Sequence, residues 1–134
     1  REDLTQKICR LSVEQEGKTA VLWAKADTGC ALREPFSGLP VIVCQASSLK
    51  DLLPPETARA LQTKDPPSLD GIRLVPFESV GGAGVLPAFK PEIVRRLPDG
   101  TAINCYIALW EREFPSGEFQ ALYGPDQFPE LSPP

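Results

Sequence analysis

Short hydrophobic runs separated by turn residues follow one another along most of the chain. Apolar and polar side chains alternate over residues 7–14, a polar turn occupies 16–18, and a second run fills 19–26. Alternation with a period of two on both sides of a short turn is typical of a β-hairpin. A third run, 40–45, is almost entirely apolar, which predicts a strand buried on both faces.

One region carries a helical pattern. Residues 47–53 predict a short helical turn, which Pro54 ends. Pro55 then stands in the first turn of a second short segment, a position that suits proline because its missing N–H would have no helical partner there. We therefore expect one or two short helices between Ser48 and Gln62.

The second half returns to strands and turns. A proline-rich stretch at 63–71 predicts a loop, and later strands are expected at 72–80, 85–90, 101–111 and 118–123, with turns at 81–84, 98–100 and 116–117. The chain holds 15 prolines, and most of them fall between the apolar runs rather than inside them. This distribution favours strands joined by rigid turns over a helix bundle. A length of 134 residues suits a single domain over 1–134.

Composition excludes several classes of chemistry. The chain has no histidine, so Ser-His-Asp and Cys-His catalysis are impossible within it. Its four cysteines show no CxxC spacing, which predicts free thiols and no metal site. The net charge of −4 argues against a nucleic-acid surface. No glycine-rich phosphate loop is present, and we expect no cofactor.

The sequence Asp27-Thr28-Gly29 directly follows the second predicted strand and carries the candidate chemistry. In an aspartic protease two carboxylates share one proton and activate water, because two like charges about 3 Å apart cannot both ionise. Gly29 permits a tight turn, and the Thr28 hydroxyl can tie the loop to a symmetry-related copy. The alternative is a plain turn, since Asp and Gly commonly end strands.

One Asp-Thr-Gly supplies only half of such a site. No other aspartate is followed by Thr-Gly, and three of them are interpreted as turn residues: Asp70, Asp99 and Asp126. Aspartic protease chemistry therefore requires a homodimer whose two-fold axis passes through the active site. Asp27 is the predicted catalytic residue, with Thr28, Gly29 and Cys30 supporting its loop.

Two later segments match elements that accompany such an aspartate. A glycine-rich stretch is a candidate flap, although it could also be an ordinary hairpin loop: Val80, Gly81, Gly82, Ala83 and Gly84. Ala121-Leu122-Tyr123-Gly124 matches an apolar-apolar-Gly turn, and Tyr106-Ile107-Ala108-Leu109 is a second candidate for it. This order is similar to that of retroviral-type aspartic proteases. The similarity implies an all-β, pepsin-like fold in which the chain forms one closed half-barrel.

A closer resemblance rests on longer segments. Residues 25–43, from Lys-Ala-Asp-Thr-Gly-Cys to Gly-Leu-Pro-Val-Ile-Val, resemble a signature of the sporulation sigma-E factor-processing peptidase family. Residues 73–81 and 86–92 resemble its second signature, and the resemblance covers about 5–128. Cys30 stands where that family usually has Asn, so an amide hydrogen bond beside the loop is lost or weakened.

The resemblance implies a biological setting. The family's members carry an N-terminal membrane domain, so the full-length protein is expected to lie at the cytoplasmic face of the membrane, on the mother-cell side of the sporulation septum, and this fragment to be soluble. The implied substrate is the precursor of sigma-E, cleaved near its N-terminus. The implied activator is a signalling protein made in the forespore.

Two other functions compete with a homodimeric aspartic endopeptidase. One is a non-catalytic pepsin-like β-domain that serves peptide binding or dimerisation, and the other is an unrelated β-barrel that binds a peptide at a strand edge. The surroundings of Asp27 distinguish them, since catalysis needs a second carboxylate within hydrogen-bond reach. A redox role for Cys30 is disfavoured, because a neighbouring carboxylate opposes formation of the thiolate.

Overall fold

The computed structural model describes residues 8–62 and 71–132, and these form an all-β arrangement with one short α-helix. The described strands, in chain order, are β1 (Ile8–Gln15), β2 (Lys18–Ala26), β3 (Val41–Gln45), β4 (Ile72–Ser79), β5 (Gly82–Phe89), β6 (Ile93–Leu97), β7 (Thr101–Ala102), β8 (Tyr106–Trp110) and β9 (Ala121–Tyr123). The helix α1 spans Pro55–Gln62, and 3₁₀ turns occupy Ala46–Ser48 and Pro129–Leu131. The predictions of an all-β class and of short helices near 48–62 are confirmed.

The predicted N-terminal hairpin is formed by β1 and β2. Its turn residues, Glu16 and Gly17, have φ angles of 51° and 79°, and Gln15 pairs with Lys18 across them. Positive φ at both central positions is the turn geometry whose twist matches a right-handed β-ribbon. Strand β2 buries alternate side chains, Leu22 and Ala24, so its pattern determines which face meets the core. Strand β1, which lies between β2 and β6, buries three successive residues from Leu11 to Val13.

The strands form one sheet in the order β4-β5-β8-β3-β9-β2-β1-β6-β7. Within the described residues this sheet is open, because β4 pairs only with β5 and β7 pairs only with β6. The expectation of a closed half-barrel was therefore wrong in this respect. Closure needs pairing between the two end strands, and β7 contains only two residues.

Strand β9 lies between β2 and β3, although it comes last in the sequence. It is parallel to β2, with Ala26 opposite Tyr123, and antiparallel to β3. Parallel neighbours end at the same edge of a sheet. The segment after β2, which begins with Asp27, therefore lies beside the segment after β9, which begins with Gly124.

Strand β3 separates two hydrophobic clusters. Ile42 and Cys44 belong to the larger one, with the β1–β2 hairpin, whereas Val41 and Val43 belong to a smaller one. The prediction of a strand buried on both faces is confirmed, since all of Val41–Gln45 is buried. The smaller cluster also contains Val75, Leu86, Ala88, Tyr106 and Ala108, and Cys30 and Leu32 pack against it.

The predicted strand at 101–111 is two strands. The first, β7, pairs with β6, and the second, β8, pairs with β3. The segment between them is fixed by hydrogen bonds from Ile103 N to Val94 O (2.8 Å) and from Tyr106 N to Pro40 O (3.1 Å). Strand β6 was missed because Arg95 and Arg96 interrupt its apolar pattern. Strand β9 is shorter than the predicted 118–123, and the loop predicted at 63–71 lies almost wholly outside the described residues.

Candidate active site

The Asp27 loop is a tight turn fixed by backbone hydrogen bonds. Asp27 N donates to Tyr123 O at 2.8 Å and Cys30 N donates to Asp27 O at 2.9 Å. The Asp27 carboxylate accepts a third bond at Oδ1 from Gly29 N, also at 2.9 Å. Asp27 is half-buried, and Thr28 and Gly29 are exposed. The loop therefore holds its carboxylate in a defined orientation at the surface of the chain.

Gly124 packs directly against this loop. A Cβ atom built at Gly124 would lie 1.9 Å from the backbone oxygen of Cys30, so no other residue fits unless the backbone moves. Leu122-Tyr123-Gly124 is thus the candidate apolar-apolar-Gly element that meets the Asp27 loop. The other candidate, 106–109, lies in β8 and pairs with β3 and β5.

The candidate flap is the tip of the β4–β5 hairpin. The chain reverses at Val80 and Gly81, where Ser79 Oγ donates to Gly82 O at 3.1 Å and Val80 is fully exposed. Gly82, Ala83 and Gly84 lie within β5, so the turn predicted over 81–84 was placed too late. The tip of the candidate flap therefore consists of Val80 and Gly81 alone, and the other three candidate residues are the first three of β5.

An aromatic residue lies on the hairpin below its tip. Phe77 pairs with Gly84, and a Cβ at Gly84 would lie 2.9 Å from the Phe77 ring. The ring also meets Trp110 edge to face, with centroids 6.0 Å apart. Phe77 packs on the same cluster as Cys30 and Leu32, so the hairpin and the Asp27 loop share one core.

Cys30 is a poor candidate for redox chemistry. Burial raises the pKa of its thiol to about 11, and the nearby Asp27 charge raises it further, against a smaller lowering by a backbone hydrogen bond at Leu32. The thiolate is the reactive form of cysteine, so the expectation that it is disfavoured here is confirmed. All four cysteines are free thiols, and two of them, Cys44 and Cys105, are buried.

The segment after the Asp27 loop is organised by a buried acid that the sequence analysis did not select. Glu34 is 1% exposed, and its carboxylate accepts hydrogen bonds from Ser37 N at 2.6 Å and Phe36 N at 3.2 Å. Burial alone would raise the pKa of Glu34, but bonds from Ser37 and Phe36 and the Arg73 charge outweigh it and hold the pKa below its usual range. The sequence Glu-Pro-x-Ser-Gly at 34–38 could have indicated this role, because an acidic side chain before a turn commonly accepts hydrogen bonds from the backbone N–H groups of the turn.

We expect Glu34→Gln to destabilise the domain at neutral pH by about 2 kcal/mol, because hydrogen bonds to a charged group contribute that much. The pKa of Glu34 is lowered from 4.5 on folding, so its stabilisation is complete above the unfolded-state pKa and is lost as the pH falls through the folded-state pKa. The Tm difference between wild type and variant should shrink as the pH is lowered from about 6 to about 2. A difference that stays constant over this range would contradict the assignment.

The described residues contain neither a metal-binding cluster nor a membrane-spanning helix. No group of three or more Cys, Asp or Glu side chains in 8–62 and 71–132 is arranged to hold a metal ion. In the same part of the chain, no helix has the length and apolar character needed to cross a membrane. Asp99 forms an ion pair with Arg96, Asp126 is an exposed turn residue, and Asp70 lies outside the described residues.

The fold of the described residues agrees with the all-β class that the sequence predicted, and comparison with known families identifies the family of the chain. The family model Peptidase_U4, described as sporulation factor SpoIIGA, matches residues 1–127. The chain therefore belongs to this peptidase family, and the resemblance drawn from its signatures is confirmed. No curated protein matches the sequence.

Proposed function

We propose that the domain is an aspartic endopeptidase that acts as a homodimer, with Asp27 of each chain forming one shared site. The observation that supports this most directly is the construction of the Asp27 loop. Its carboxylate accepts Gly29 N–H at 2.9 Å, and Gly124 packs against the Cys30 carbonyl beneath it. A plain turn needs no such support from a segment almost a hundred residues away.

The chemistry follows from two facing carboxylates. One is ionised and takes a proton from water, while the other is protonated and polarises the scissile carbonyl. Thr28, exposed beside Asp27, is available to bond the partner's loop across the two-fold axis. The tip residues Val80 and Gly81 would close over an extended peptide through backbone contacts.

The proposed substrate is a sigma-factor precursor that is cleaved near its N-terminus, with a forespore-derived protein as activator. Membership of a sporulation peptidase family supports a role in this process. The full-length protein would act at the cytoplasmic face of the membrane. Neither metal nor cofactor enters the proposed reaction, since water and two carboxylates suffice.

Activity per chain should rise with protein concentration, because a monomer holds one carboxylate of the pair. We expect dilution below the dimer dissociation constant to abolish cleavage of the precursor, as followed by gel assay beside sedimentation. Excess Asp27→Asn chains should inhibit the wild type, since each mixed dimer contains only one carboxylate.

An equal excess of Asp126→Asn chains serves as the control and should not inhibit, because Asp126 is an exposed turn residue. Activity per chain that stays constant through dissociation would exclude a shared site. Peptide binding without any cleavage by a well-formed dimer would favour the non-catalytic β-domain instead.

A further inference from the structure

The end of β9 and the turn that follows it contact the two ends of the Asp27 loop, residues 27–32. At the first end Asp27 N donates to Tyr123 O at 2.8 Å. At the other end the side-chain Nε2 of Gln127 donates to Leu32 O at 3.1 Å. Gln127 is itself fixed, since its backbone N–H donates to Gly124 O at 3.0 Å. Residues 123–127 therefore form a clamp that spans the loop at 27–32.

Gln127 also carries a polar atom with no partner. Its Oε1 is buried and has no hydrogen-bond partner among the described residues, and it lies 3.3 Å from a Cβ atom built at Gly124. A buried acceptor without a donor destabilises the folded state, and such groups are rare in native proteins. The position of Gln127 thus has a cost in stability that calls for a compensating role.

The hydrogen bond that Gln127 donates to the Leu32 carbonyl does not by itself compensate for this cost in stability. Leu32 O also accepts Val41 N at 3.2 Å, from the start of β3. An apolar side chain with the shape of Gln127 would leave that carbonyl bonded and would remove the orphaned oxygen. Stability alone therefore favours leucine over glutamine at this position.

We propose that Gln127 is a positioning residue that fixes the far end of the Asp27 loop and so sets the direction of the Asp27 carboxylate. This proposal rests on the proposed aspartic protease function. Gln127 acts through the loop and not on the substrate. Its importance follows from geometry, since a misplacement of about 1 Å at a reacting group lowers the rate about 100-fold.

The test compares Gln127→Leu with wild type in the dimeric domain. We expect Tm to be unchanged or raised, kcat on the precursor to fall by about 10-fold or more, and KM to change by less than about 3-fold. Amide hydrogen exchange at Gly29 and Cys30 should become faster, because the loop loses one of its two hydrogen bonds to residues 123–127.

A second variant, Gln127→Glu, tests the donor itself. At neutral pH its carboxylate cannot donate to Leu32 O, whereas the protonated carboxyl can. Its kcat, relative to wild type, should therefore recover as the pH falls through about 5. A purely structural role predicts no such recovery.

Gln45→Leu is the matched control. Gln45 is a buried glutamine at the far end of β3, where its Oε1 accepts Phe114 N at 2.6 Å. Its replacement should lower Tm and leave kcat unchanged. Full kcat and unaltered exchange in Gln127→Leu, with Asp27→Asn inactive, would overturn the clamp proposal alone. An inactive wild type, or an active Asp27→Asn, would instead overturn the proposed function, while the exchange data would still test the clamp.

Discussion

Replacement of Asp27 by asparagine or alanine should reduce cleavage of the precursor by about 1,000-fold or more, because the dimer then has neither an acid nor a base at its centre. Asparagine keeps the shape of aspartate and its Oδ1 can still accept the Gly29 N–H bond of 2.9 Å. It cannot take a proton from water. The loop should therefore keep its structure while the reaction stops.

Measurements of folding and stability distinguish this loss of catalysis from a loss of structure. Circular dichroism and Tm of Asp27→Asn should match wild type, or Tm should rise, because like charges no longer face each other in the dimer. Asp126→Asn is the control, and it should keep most of the activity since the side chain is exposed in a turn. Appreciable cleavage by a well-folded Asp27→Ala would reject the aspartic mechanism and favour a binding domain.

Local patterns predicted most strands of the fold, because both period-two alternation and turn residues can be recognised within a few consecutive positions of the sequence. The β1–β2 hairpin and the doubly buried β3 follow from such patterns. Strand β6 could not be predicted from such a pattern, because its burial depends on pairing with β1, where Val13 lies opposite Val94. The break between β7 and β8 also has no local signal, because it is a change of pairing partner.

The candidate site was predictable only in part, for a similar reason. Asp27 and the Leu122-Tyr123-Gly124 element are recognisable as short motifs. Gln127 and Glu34 are not, because their roles depend on backbone groups that only the folded chain brings to them. Gln127 reaches Leu32, which is 95 positions away. Openness of the sheet likewise depends on which strands meet at its ends, and no single strand encodes that.

Gly124→Ala should damage both stability and activity, although it adds only one methyl group. The added Cβ would lie 1.9 Å from the Cys30 backbone oxygen, a distance that no packed structure tolerates. Because the obstacle is backbone, either the Asp27 loop or the turn after β9 must shift. We expect destabilisation of about 3 kcal/mol, and a Tm lower by roughly 10 °C. A displacement of the loop by about 1 Å should lower kcat about 100-fold in the molecules that remain folded.

Gly117→Ala is the matched control for this substitution. Gly117 is exposed, and a Cβ atom built there meets nothing within 4 Å. Its replacement should leave activity unchanged and raise stability by up to about 1 kcal/mol, because alanine restricts the unfolded chain. Thermal unfolding and cleavage assays on both variants at saturating concentration measure the two effects separately. Equal behaviour of Gly124→Ala and Gly117→Ala would show that the close contact of Gly124 with Cys30 does not position the Asp27 loop.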